Sequence, residues 1–200
     1  MRITRQQAEQ NRRKVVEAAD TLFREKGFEA VTVADLMRAA GLSHGGFYNH
    51  FDSKAALEAA VVGQACAGAA ERLAARTQGG APSARRDALA RYIESYVSSA
   101  MRDAPAPFCA MLAYGADIPR SAPPTRAAFA AGLGAYLDRF AAALAPEDPE
   151  SAHARAARAF STMIGALILA RATASADPTL SDEILAAARD GLDETGAGEG

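Results

Sequence analysis

Two hundred residues, half of them apolar, can bury a real core, as one domain or as a small head on a larger body. The net charge of −2 argues against wholesale wrapping of nucleic acid, and the two cysteines, Cys66 and Cys109, match no zinc or disulfide spacing. Abundant alanine, no tryptophan and no alternating β-branched run exclude a sheet-rich fold and predict an all-α chain.

In chain order, a first helix is predicted from about Arg5 to Lys26. Val15, Ala18, Ala19 and Leu22 fall at helical spacing, and Val16 and Phe23 widen the stripe. Gly27 supplies the stop and Phe28 packs back after it. Thr32 caps a second helix, with Asp35 returning a bond to the cap and Val31 stapling against Leu36. Gly41 ends that helix in a turn, Ala40–Ser43, as tight as a helix-turn-helix requires. Ser43 caps a short third helix in which Phe47 and Phe51, four apart, face inward. His44, Gly45, Gly46, Tyr48, Asn49 and His50 are left outward. A longer helix follows from about Lys54 to Arg76, then a GGAPS linker at 79–83 and a helix over roughly 84–102. A short apolar helix at 108–115 and helices near 124–145 and 149–175 come next. The last helix follows Asp177-Pro178, takes Ser181 as its cap and ends near Glu194. No apolar stretch reaches the roughly 18 residues of a membrane span, and no secretory signal is visible, so a reducing cytoplasm is expected.

The third helix carries the strongest chemical signal. Two consecutive glycines in a helix cost about 1 kcal/mol each relative to alanine. A helix whose backbone must approach another surface closely tolerates that cost. His44 and Asn49 have donors and acceptors suited to base edges, and Tyr48 and His50 suit phosphate contact. Lys54, in the first turn of its helix, opposes the helix dipole. A phosphate docked there joins Lys54 and the helix amides in one anion site, and the Thr32 hydroxyl serves a second in the same way. Charge is distributed to match: residues 1–54 hold nine Lys+Arg against seven Asp+Glu, the remainder 13 against 17. Singly, His44 and His50 read as solvated residues and Tyr48 as a half-buried filler. Their joint register with the glycines and Lys54 is what points to the DNA major groove.

Residues 10–57 resemble the N-terminal domain of the TetR family of transcriptional regulators. The likeness rests on Ala19-x-x-Leu22-Phe23-x-x-x-Gly27-Phe28, on TVADLMRAAGLS and on FYNHFDSKAAL. It implies that Thr32, Ser43, Tyr48, His50 and Lys54 grip the backbone of a double-stranded operator, while His44, Gly45, Gly46 and Asn49 face its bases. It also implies that the chain from about residue 55 binds a small effector and forms a homodimer through its last two helices, with repression the usual outcome. The expected organisation is a helix-turn-helix domain at 1–53, an effector-binding and dimerisation domain at 54–194 and a disordered tail at 195–200, about nine helices in all.

The residues permit both body functions. Phe160, Ile164, Leu167, Ile168 and Arg171 stripe one helix, and Ile184, Leu185, Ala188 and Leu192 the next. Such stripes either meet a second subunit or pack within their own. Met101, Phe108, Cys109, Met111, Tyr114, Phe129 and Met163 are candidate pocket residues, with plain core the alternative. Cys109, at a helix start, is either a redox or electrophile sensor or an inert buried thiol. No metal site or cofactor is expected, and no nucleophile-base or phosphate-loop motif marks an enzyme. The rival readings are a helical sensor or interaction protein answering through Cys109, and a transcriptional activator.

Overall fold

Thr4 opens the first helix, α1 (Arg5–Lys26), its hydroxyl accepting the Gln7 amide at 3.1 Å. The computed structural model describes residues 4–104, 109–144 and 148–197, and among the described residues every regular element is helical. After α1 come α2 (Val33–Ala39), a 3-10 helix (His44–Asn49), α3 (Lys54–Thr77), α4 (Pro82–Tyr96) and α5 (Ser99–Asp103). The rest are α6 (Ala110–Tyr114), a second 3-10 helix (Ile118–Arg120), α7 (Pro123–Leu144), α8 (Pro149–Thr173) and α9 (Pro178–Ala197). The chain forms two compact units. One joins the N-terminal portion up to Ala67 with Cys109–Leu133; the other takes the remainder, from Gly68 and from Gly134.

In the first unit, Val15, Ala19 and Phe23 of α1 are buried with Leu36 and Met37 of α2 and with Phe47 and Phe51. Removing the valine, leucine, methionine and phenylalanine side chains from water stabilises by about 1.5–3 kcal/mol each. In the second, Tyr96 of α4, Tyr136 of α7 and Phe160 of α8 form an aromatic cluster, with the Tyr136 and Phe160 centroids 4.6 Å apart. The Tyr136 hydroxyl lies 2.7 Å from that of Tyr92.

Three sequence expectations are corrected here. The helix expected over 84–102 is two helices. Val97 leaves helical geometry at φ −90, ψ 63, and the Ser98 hydroxyl then caps α5 by accepting the Met101 amide at 3.2 Å. Serine's tendency to bond nearby amides makes it a helix starter rather than an interior residue. The last helix begins at Pro178, not after Ser181: the Asp177 carboxylate accepts the Leu180 amide at 3.0 Å. Asp-Pro, read as a breaker, is a cap followed by a proline whose missing N–H costs nothing at a first turn. Ser181 is buried inside α9, donates to the Ala170 carbonyl at 2.8 Å and accepts from Arg102 at 3.0 Å. Helix α9 also continues to Ala197, past the expected end near Glu194; residues 198–200 of the expected tail lie outside the described residues.

Asp177→Ala removes the α9 cap and is expected to lower stability by about 1 kcal/mol. Chemical denaturation with an unchanged midpoint and slope contradicts this assignment.

Candidate nucleic-acid interface

The turn between α2 and the His44–Asn49 helix is a Schellman closure. The Leu42 amide donates to the Met37 carbonyl at 2.9 Å and the Gly41 amide to Arg38 at 3.1 Å, with Gly41 at φ 69. Only glycine takes that φ without strain, so Gly41 fixes where the next helix points. That helix is 3-10 rather than α. The Gly46 amide reaches the Ser43 carbonyl at 3.0 Å and the His50 amide the Phe47 carbonyl at 2.9 Å. Two glycines leave too little propensity to hold a full α ladder over six residues. The Ser43 side chain makes no capping bond, contrary to expectation; α3 is capped by Ser53, whose hydroxyl accepts the Ala56 amide at 3.1 Å.

Phe47 and Phe51 prop this element from beneath, both buried with centroids 5.8 Å apart. Ser43, His44, Gly45, Tyr48 and Asn49 are exposed, Tyr48 by 68% despite its apolar ring. His50 is half-buried. Gly46 is only partly outward: a Cβ there would lie 3.6 Å from the Met37 side chain, whereas one on Gly45 would meet nothing within 4 Å. Gly45 is therefore the glycine that presents open backbone.

Thr32 forms the expected capping box. Its hydroxyl takes the Asp35 amide at 3.2 Å and its own amide donates to the Asp35 carboxylate at 3.1 Å. The hydroxyl also lies 2.6 Å from that carboxylate, so its proton is committed to Asp35. The Thr32 bonds hold the Asp35 carboxyl below the usual carboxylate range. Lys54 is half-buried, and its ammonium donates to the Phe28 carbonyl and pairs with Glu58 at 3.7 Å. Burial raises the Glu58 carboxyl above its ordinary range, against the pull of Lys54. The Lys54 ammonium thus already has partners within the protein.

Arg12 is one of the nine basic residues of the 1–54 segment. The structure turns it inward: its guanidinium donates to the His50 carbonyl and lies 4.0 Å from the Phe51 ring centroid. The available signal was spacing. Arg12, Val16, Ala19 and Phe23 lie on one stripe of α1, so a charge there faces the core.

Two elements of the same unit meet the head from later in the chain. Tyr114 is buried, stacks on Phe28 at 5.3 Å and donates its hydroxyl to the Asp20 carboxylate. Burial and that bond raise its phenol well above the ordinary value. The Asp117 carboxylate accepts the Phe28 amide at 3.2 Å and pairs with Arg120 at 3.1 Å. Of the other candidate pocket residues, Cys109 and Met111 are buried in this unit with sulfurs 3.7 Å apart, and Phe129 is half-buried. Met101 and Met163 belong to the other unit, and Phe108 lies outside the described residues. Cys66 is buried too, its thiol pushed up to about 11 by desolvation and the neighbouring Cys109.

The candidate dimer residues divide. Phe160, Leu167, Leu185 and Leu192 are buried within their own chain. Arg171 donates to the carbonyls of Met101, Arg102 and Ala104, closing the C-terminal end of α5. Ile164, Ile184 and Ala188 are half-buried, and Ile168 is 51% exposed. The stripe missed its neighbours Leu169 and Leu180, 57% and 42% exposed.

The family model described as bacterial regulatory proteins, tetR family, matches residues 15–61, from the middle of α1 through the Schellman turn into α3. Residues 15–61 are thus similar to the N-terminal domain of TetR-family regulators. It is 49% identical over 43 residues to the transcriptional repressor KstR2 of Rhodococcus jostii, 22% of this chain and 21% of that protein. The chain's matches span about three-tenths or less of the length of its curated relatives. Over nearly its whole length the fold is that of TetR regulators. It superimposes on reduced Escherichia coli NemR with a TM-score of 0.75 at 20% identity, covering 92% of this chain and 96% of NemR. Bacillus subtilis FadR, solved with stearoyl-CoA, gives 0.65 at 15% identity, with 94% and 99% covered. Among the described residues no helix is long and apolar enough to cross a membrane.

The lowered Asp35 carboxyl ties α2 to pH. A depressed folded-state pKa gives stability that is present above the unfolded value and lost as pH falls through the folded one. Asp35→Asn is thus expected to destabilise at pH 7, with the difference from the parent shrinking at a second pH, acid enough to protonate the parent's Asp35. Denaturation midpoints that differ equally at the two pH values contradict the capping role.

Proposed function

We propose that this chain is a ligand-responsive transcriptional repressor that binds a palindromic operator as a dimer in the cytoplasm. The single observation that carries the reading is a helix held by a Schellman turn and two buried phenylalanines while its outer side shows Tyr48, Asn49, His44 and bare backbone at Gly45. Folding alone gives no reason to expose that face. A tyrosine 68% exposed beside the open backbone of Gly45 is explained by a surface that closes over both.

His44 and Asn49 read base edges, with Gly45 bringing the backbone close. Tyr48, His50 and Ser43 hold phosphates. Thr32 and Lys54 take their phosphates by releasing Asp35 in one case, Phe28 and Glu58 in the other. Repression is supported by the name of KstR2, and a small-molecule effector by the stearoyl-CoA in FadR. The proposed division of labour puts DNA contact in residues 1–53 and effector binding and dimerisation in 54–194.

The surface around Ile168, Leu169 and Leu180, extended by Ile164, Ile184 and Ala188, is where a second copy packs. Three large apolar side chains exposed along α8 and the start of α9 favour burial against a like surface. A short reading helix grips DNA weakly, and two of them one helical turn apart read a palindrome. Effector binding in the body moves α3, which carries Lys54 and the head, so the paired helices no longer match successive grooves. A coupling of a few kcal/mol vacates the operator.

Selection from random duplexes is expected to yield a palindrome whose affinity falls steeply with salt. Tyr48→Ala should weaken binding about tenfold at every base composition. Gly45→Ala, which meets no clash, should leave stability unchanged or raised and still lose affinity. Unchanged operator binding by both variants contradicts the interface.

A further inference from the structure

In the second unit a hollow of about 250 Å³ lies between the end of α3, the turn into α4 and the last turns of α7. Its lining includes Thr77, Gln78, Arg85 and Arg139, with two arginines and no acidic residue. Arg85 and Arg139 come from different helices, yet among the described residues neither has a carboxylate within ion-pairing distance. The Arg85 Nε is buried and has no acceptor among the described residues. A buried N–H of a charged group without an acceptor is unfavourable, and two arginine charges lining one hollow repel each other.

We propose that this hollow binds a small oxyanion, a carboxylate or a phosphoryl group, between Arg85 and Arg139. An oxyanion accepts from the Arg85 Nε and neutralises both charges, which resolves the two unfavourable features at once. The Gln78 amide adds a donor, and Ala74, Ala142 and Ala143 offer a short apolar wall for a methyl or methylene group. The hollow is smaller than the roughly 300–1,000 Å³ of pockets that take drug-sized ligands, so the anion is small. None of its lining residues belongs to the candidate effector pocket or to the DNA-reading surface, and the proposal stands without either.

The test is thermal unfolding of the full chain titrated with sodium phosphate and, separately, with sodium butyrate, against sodium chloride at matched ionic strength. Phosphate and butyrate distinguish a phosphoryl from a carboxylate ligand, and a saturable rise in melting temperature with either supports the site. Arg139→Gln, an exposed position with little to lose in folding, should weaken that response about tenfold or more. Arg85→Gln should do the same; if it unfolds the chain, the Arg139→Gln titration decides alone. No saturable rise beyond chloride with either salt, or an undiminished rise in Arg139→Gln, overturns the proposal.

Discussion

The backbone of Phe28 is the point on which the head depends. Its amide is held by Asp117, its carbonyl by Lys54, and its ring sits between Phe23 at 5.0 Å and Tyr114 at 5.3 Å. A single residue thus ties the end of α1, the start of α3 and the segment after α6. Gly27 makes this possible: a Cβ there would stand 3.0 Å from the Asp117 carboxylate, at a φ of 76 that side chains rarely adopt. Backbone groups buried without partners are costly, so moving Asp117 or Lys54 leaves Phe28 wanting and displaces its neighbours. The first compact unit accordingly includes Cys109–Leu133 as well as the sequence-contiguous head.

This constraint extends to the helix at His44–Asn49. The reading helix has few internal bonds of its own, and its geometry comes from Gly41, from Phe47 and Phe51, and from Arg12 on the His50 carbonyl. Such an element has low local stability and follows whatever supports it. Lys54 is shared between Phe28 and the proposed phosphate contact, so DNA binding and the packing of Phe28 compete for one ammonium. On the proposed function, a small displacement near Asp117 or Tyr114 would change how the head meets DNA without touching the proposed reading surface.

Local chemistry made the head legible in the sequence. Capping by Thr32 and Asp35, the stop at Gly41 and the four-residue spacing of Phe47 and Phe51 each act over a few residues, and each sits where the spacing placed it. The same local logic erred where two signals compete. Ser181 reads as a cap but Asp177, three residues before Leu180, takes the role and frees Ser181 for burial. Gly45 and Gly46 read alike, although Met37 underlies only Gly46. Long-range partners left almost no trace. Tyr114 bonding Asp20, Asp117 holding Phe28 and Arg171 gathering three carbonyls join positions about 70 to 94 residues apart, which no periodicity reports. The apolar stripes of α8 and α9 also show why one face cannot be assigned by spacing alone: Leu167 and Ile168 are adjacent, one fully buried and the other in water.

Amide hydrogen exchange in Asp117→Ala tests this arrangement most directly. If Phe28 couples the segment after α6 to the reading helix, protection falls together at Gly27–Val31, at Phe47–Phe51 and at residues 110–122. Faster exchange confined to residues 115–122, with the Phe47–Phe51 amides unchanged, contradicts the account.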